Sequence, residues 1–183
     1  MKTTDTDKKE SDVKKPLDTD LKDFAIHQAS PEDIPLILSF IHELADYEKL
    51  AHEVVATEAL LHEALFGPHA RAEVLLGYYQ GEAVCFALFF HNFSTFVGRA
   101  GLYLEDIFVH SHMRGRGFGR RLFAYLADLA RSRNCGRLEW SVLKWNHRAI
   151  NFYRSMGAVA MDGWTVNRLQ GDALNELADE YAG

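Results

Sequence analysis

Seven residues near the middle of the chain, Arg114-Gly115-Arg116-Gly117-Phe118-Gly119-Arg120, constrain the fold more than any other stretch. They follow an apolar run, Leu102 to Val109. They precede Phe118, Leu122, Tyr125, Leu126, Leu129 and Ala130, which recur at helical spacing. Strand, glycine turn and helix in direct succession put bare backbone at a helix mouth. Glycine lets the chain approach an anion closely, and the first N–H groups of a helix carry the positive end of its dipole. The three arginines add charge. The stretch therefore predicts a seat for a diphosphate; its structural alternative is a solvated glycine turn. It is not a dinucleotide fingerprint, whose third glycine would fall on Arg120, and it lacks the Gly-Lys-Ser/Thr of a P-loop.

The flanking pattern mixes hairpins with helices. Phe24 to Gln28 alternates like a short strand. Ser30-Pro31-Glu32-Asp33 has the form of a capping box ahead of Ile34, Ile37, Leu38, Ile41 and Leu44. Thr57 can cap a second helix that Gly67-Pro68 ends. Ala72 to Tyr79 and Glu82 to His91 form a hairpin about Gln80-Gly81. Beyond the glycine turn, Leu138 to Leu143 predicts a strand and Ala149 to Met156 a short helix. Trp164 to Leu169 predicts a last strand, and a C-terminal helix starts near Ala173. Hairpin strands interleaved with helices point to a mixed α/β sheet, not a fully parallel one.

Residues 1 to 21 contain five lysines, six acids and little apolar surface. Such a segment cannot offset its chain entropy by burial, which predicts a disordered tail before one folded domain at residues 22–183. The net charge of -6 disfavours general nucleic-acid binding and favours cationic ligands. No apolar run has membrane-spanning length, and no secretory signal is visible. Cys85 and Cys135 make no C-x-x-C pair and fit reduced thiols in the cytoplasm. None of the nine histidines, His110 and His112 included, has companions at metal-ligand spacing, so no metal is expected.

Arg114, Gly117 and Gly119 match the Arg-x-x-Gly-x-Gly motif by which GNAT (Gcn5-related) acetyltransferases hold the diphosphate of coenzyme A. Further blocks resemble the diamine and spermidine/spermine N-acetyltransferase branch. They are Leu44-Ala45-Asp46-Tyr47-Glu48, the run Gly101 to Val109 with Tyr103-Leu104-Glu105-Asp106, Trp145-Asn146, Ile150-Asn151-Phe152-Tyr153 up to Gly157-Ala158, and Gly163-Trp164. The resemblance spans residues 24 to about 170. Trp145-Asn146-His147-Arg148 departs from the polyamine enzymes' Trp-Asn-Glu-Pro, and relatives that prefer thialysine share most of the blocks.

The resemblance implies the GNAT fold, a mixed central sheet with two splayed strands flanked by helices. The splayed strands would be Leu102 to Val109 and Leu138 to Leu143. It implies acetyl-CoA as cosubstrate. Backbone groups of Ile107, Phe108 and Val109 would pair with the cosubstrate and hold the thioester carbonyl. Arg114, Gly115, Arg116, Gly117, Phe118, Gly119 and Arg120 would take its diphosphate, and Asn146, His147, Arg148 and Ala149 would supply further contacts. It also implies a homodimer.

Acetyl transfer to an amine needs a group that takes a proton from the ammonium and one that protonates the departing thiolate. Tyr153, within the Asn-Phe-Tyr block, is the candidate acid beside the sulfur; a half-buried core tyrosine is its common alternative. Glu105 is the candidate base or water-positioning group. Adjacent acids in a strand face opposite sides, so one of Glu105 and Asp106 should face the cleft, where desolvation raises its pKa. Asp106 is expected to be structural. Tyr47, Glu48, Glu105, Trp140 and Asp162 would recognise a cationic amine, with Trp164 a second aromatic candidate. The expected activity is acetylation of a polyamine, a diamine or a thialysine-like amino acid by direct attack in a ternary complex. A protein-lysine or N-terminal acetyltransferase and a non-catalytic acetyl-CoA sensor are the alternatives.

Overall fold

The computed structural model describes residues 21–182, so the tail expected at 1–21 lies almost wholly outside the described residues. The chain divides into two compact units, with the boundary after Ser141.

The first unit holds a five-stranded sheet of order β1-β2-β3-β4-β5. Its strands are β1 (Phe24–Gln28), β2 (Glu73–Tyr79), β3 (Glu82–Ser94), β4 (Arg99–Val109) and β5 (Leu138–Trp140). The first four run antiparallel in sequence, and β5 joins β4 in parallel, as a crossover through a helix requires. Gln80 (φ 52) and Gly81 (φ 84) both take positive φ, the backbone of a two-residue turn that matches strand twist.

One face of the sheet carries α1 (Ile34–Glu48) and α2 (Glu58–Phe66). Ile37 and Phe40 of α1 and Leu65 of α2 pack with Val74, Leu76, Phe86 and Phe108 in a common buried cluster. Both predicted caps form. The Ser30 N–H donates to Asp33 Oδ2 at 2.8 Å, and the Thr57 hydroxyl accepts from the Leu60 N–H at 3.3 Å. The other face carries α3 (Phe118–Ser132), which buries Phe118, Leu122, Phe123, Leu126 and Ala130.

The β3–β4 pairing is interrupted at one point. Leu88 lies opposite Asp106 and Phe89 opposite Leu104, so Glu105 has no opposing residue. This is a β-bulge, which bends a strand and re-aims its side chains. It falls where β5 stops, since β5 pairs only with Leu102, Tyr103 and Leu104. The predicted strand Leu138 to Leu143 is therefore only three residues long, ending at Trp140. From Glu105 to Val109, β4 has a strand on one side only among the described residues.

The second unit contains α4 (His147–Ser155) and α5 (Asp172–Asp179). Asn146 caps α4, its Oδ1 accepting from the Ala149 N–H at 3.2 Å. The strand expected at Trp164 to Leu169 does not form. Alternation alone does not make a strand, and the described part of this unit holds no second strand to complete a ladder. No described helix is long and apolar enough to cross a membrane.

Candidate active site

The site grows out of β4 and the turn after it. An unpaired strand edge presents N–H and C=O groups ready to pair with an extended ligand. Ile107, Phe108 and Val109 stand on this edge. Phe108 is buried against α1, while Ile107 and Val109 are half-buried. The Val109 carbonyl accepts from Arg114 Nε at 2.9 Å, and the His110 N–H reaches back to the Val84 carbonyl at 3.0 Å. These two bonds fix where the strand ends and the turn begins.

Gly115 (φ 83) and Gly117 (φ 93) lie in the left-handed region. A side chain at Gly115 would meet nothing within 4 Å, so conformation, not space, makes glycine necessary there. Gly117 stands at the N-cap of α3 and offers no side chain to the orphan N–H groups behind it. The first turn of α3 has no acidic residue, so its positive end is not neutralised from within. The amides of Phe118, Gly119 and half-buried Arg120 stand in this turn.

Two of the arginines do something other than line an anion seat. Arg114 lays its guanidinium over the Tyr47 ring, 4.2 Å from the centroid, and beside Phe108 at 5.2 Å. Arg116 lies over Tyr79 at 4.5 Å and donates to Met113 Sδ at 3.3 Å. The contacts with Tyr47 and Tyr79 join residues distant in sequence, which no local pattern reveals.

The acids also differ from expectation. Glu105 sits on the bulge and is exposed, whereas Asp106 is half-buried. Burial first, then the nearby charges of Glu105 and Glu48, push the Asp106 carboxyl up to about 6. Glu48, half-buried in the last turn of α1, is also raised by burial. The desolvated member of the pair is thus Asp106, the residue expected to be structural. Its side chain shares the α1 face with Phe108, two residues on. Tyr47, Glu48, Asp106 and Arg114 consequently belong to one region.

Trp140 does not join them. Its ring meets Phe123 of α3 edge-on at 4.9 Å, on the opposite face of the sheet, because it pairs with Leu104 and shares that strand's inward side. His110 and His112 stack at 5.7 Å, and His110 Nδ1 lies 2.8 Å from Glu43 Oε2. Among the described residues no three His, Cys, Asp or Glu side chains group as metal ligands do.

In the second unit, Asn146 is buried at the N-cap of α4. His147 and Arg148 are exposed and Ala149 half-buried in its first turn. Tyr153 is half-buried on α4, with its ring 5.6 Å from that of Phe152. Asp162 and Trp164 are exposed in the segment without regular structure.

An open strand edge, two positive-φ glycines and an unneutralised helix mouth fit a long ligand with an amide-rich arm and a diphosphate, as coenzyme A has. Comparison with known proteins agrees. The profile of the Acetyltransferase (GNAT) family matches residues 38–158. A thialysine N-epsilon-acetyltransferase from Bos taurus is 38% identical, over 84% of this chain and 96% of its own length. An L-ornithine N5-acetyltransferase from Arabidopsis thaliana is 32% identical, over 83% of this chain and 86% of its own. A solved integron cassette protein of V. cholerae superposes with a TM-score of 0.71 at 29% identity, over 85% of this chain and 98% of the other. The chain belongs to the GNAT acetyltransferase family and is an acetyl-CoA-dependent N-acetyltransferase.

Proposed function

We propose that the protein acetylates a primary amine of a small cationic molecule, a polyamine, a diamine or a thialysine-like amino acid, by direct attack in a ternary complex. One observation carries this: Asp106 on the open half of β4 and Glu48 at the end of α1 are two half-buried carboxylates, each raised by burial, with the charge of Glu48 a lesser cause at Asp106. Burying carboxylates is costly, and an ammonium group beside them offsets that cost. The names of the thialysine and ornithine relatives support a substrate bearing two amines.

When bound, acetyl-CoA supplies the activated acetyl group. The edge of β4 at Ile107, Phe108 and Val109 orients its arm and steadies the thioester carbonyl. The amides from Gly115 to Arg120 hold the diphosphate, and Asn146, His147, Arg148 and Ala149 add contacts. Glu48 and Tyr47 receive the cationic part of the amine, with Asp162 a further acid for its distal end. We assign the base to Asp106 in preference to the exposed Glu105, because burial pushes the Asp106 carboxyl up to about 6, where it can take a proton near neutrality. Glu105 acts on it through its charge. Tyr153 delivers a proton to the departing sulfur. The resemblance further supports a homodimer in the cytoplasm, a compartment that suits the two unpaired cysteines.

The test is a panel of spermidine, spermine, putrescine, thialysine, ornithine and lysine with acetyl-CoA, read by release of free thiol. Turnover of at least one small amine well above that of lysine-bearing peptides is expected. Turnover of peptides alone would refute the small-molecule assignment. Coenzyme A binding without turnover of any amine would make the protein a sensor.

A further inference from the structure

We infer that Arg114, the first residue of the glycine turn, is a positioning residue for the amine and not an anchor for the diphosphate: its guanidinium clamps the Tyr47 ring to the end of β4. The inference rests on the proposed function, because it takes Tyr47 as a wall of the amine site.

Three contacts determine where this side chain points. Nε donates to the Val109 carbonyl at 2.9 Å, which ties the guanidinium plane to the end of β4. The centre of that plane lies 4.2 Å from the Tyr47 ring and 5.2 Å from the Phe108 ring. Both distances are within the range at which the quadrupole of an aromatic face attracts a cation. The Tyr47 and Phe108 rings are themselves 6.5 Å apart, so the arginine bridges them.

The end of α1 gives an independent reason for a cation here. Tyr47 and Glu48 form its last turn, which has no basic residue of its own, although a helix C-terminus favours positive charge. Arg114 adds a second positive charge to that of Lys49, the C-cap residue. Tyr47 also precedes Lys49, whose left-handed backbone (φ 62) closes the helix. The Lys49 and Leu50 N–H groups close this last turn of α1, and Arg114 adds a contact from outside the helix that fixes the orientation of the ring.

The consequence is a division of labour within one motif. Backbone amides and glycines serve the anion, while the first arginine reaches back to the amine side. Lysine keeps the charge of arginine but not its plane or its Nε donor, so Arg114→Lys separates the clamp from a bare charge effect.

The experiment uses the full chain, with thialysine and spermidine as amine probes. Coenzyme A alone is titrated calorimetrically, and amine KM and kcat are measured at saturating acetyl-CoA. We expect Arg114→Lys to raise the amine KM about tenfold, the size of one desolvated cation–π contact. The coenzyme A Kd and kcat should stay within about twofold. Tyr47→Leu should raise the amine KM, and adding Arg114→Lys to Tyr47→Leu should cost little more. Weakened coenzyme A binding with unchanged amine KM in Arg114→Lys would overturn the inference, as would effects of the two substitutions that simply multiply. Failure of the unsubstituted enzyme to acetylate either probe would instead refute the functional reading, a result obtained before any variant is made.

Discussion

Among the described residues, β4 has a strand on each side from Leu102 to Leu104 and on one side only from Glu105 to Val109. The two halves share a backbone direction and a partner in β3, yet differ in chemistry. The paired half is frame: Leu102 and Leu104 are fully buried against α3. The open half holds the acids and the edge that a thioester can use. The bulge at Glu105 is the divide. One extra residue ends the parallel ladder and puts a desolvated carboxylate at the mouth of the gap. On the proposed function, stability and catalysis occupy neighbouring segments of one strand, and substitutions on either side should separate them. The largest effect should come from the frame. Leu104→Ala removes a fully buried side chain and leaves a cavity, so it should cost about 2–5 kcal/mol by urea denaturation. If the variant stays folded, its amine KM should change little. A large change in KM without loss of stability would show that the two halves are not separable.

In the open half the sign of the stability effect should reverse. Burial and two neighbouring acids push Asp106 up to about 6, so its charged form is disfavoured in the folded state. The folded protein therefore holds more protons than the unfolded chain between the ordinary aspartate range and pH 6. Its stability falls as pH rises through that window. The shift corresponds to about 2–3 kcal/mol of destabilisation above pH 6. Asp106→Asn removes the charge. It should raise the melting temperature at pH 7.5 and flatten the loss of stability between pH 4 and 6. It should also lower kcat/KM by about a hundredfold. A variant that is both less stable and fully active would contradict the assignment of Asp106 as the strained base.

This contrast also explains what could be read before folding. The glycine turn, the start of the helix after it, the capping box at Ser30, the Thr57 cap and the hairpin turn are local, because each depends on residues within one turn of chain. They appear where the pattern puts them. The bulge is not local. Alternation puts Glu105 and Asp106 on opposite sides but does not say which one faces α1, since that depends on one residue of slippage against β3. Nor could spacing find rings from α1 and β2 beneath Arg114 and Arg116. Trp140 pairs with Leu104 rather than flanking the acids, which again follows from register. The segment Trp164 to Leu169 failed for a related reason. Its alternating residues are what a strand needs, but a strand also needs a partner.

The smallest expected effect tests the divide itself. Glu105 is exposed on the bulge, and its charge is one cause of the raised Asp106 carboxyl. Glu105→Gln removes that charge but leaves burial, the larger cause, in place. Asp106 should then ionise more readily. The acidic limb of kcat/KM, expected near pH 6 in the unsubstituted enzyme, should move down by a few tenths of a pH unit, a fraction of the 1.4 kcal/mol that a full unit represents. Activity at pH 8 should fall only slightly, because Asp106 is ionised there in either case. If Glu105 were the base, the same substitution would abolish the limb and cut activity at every pH. One pH profile of one conservative variant therefore decides which of two adjacent acids takes the proton.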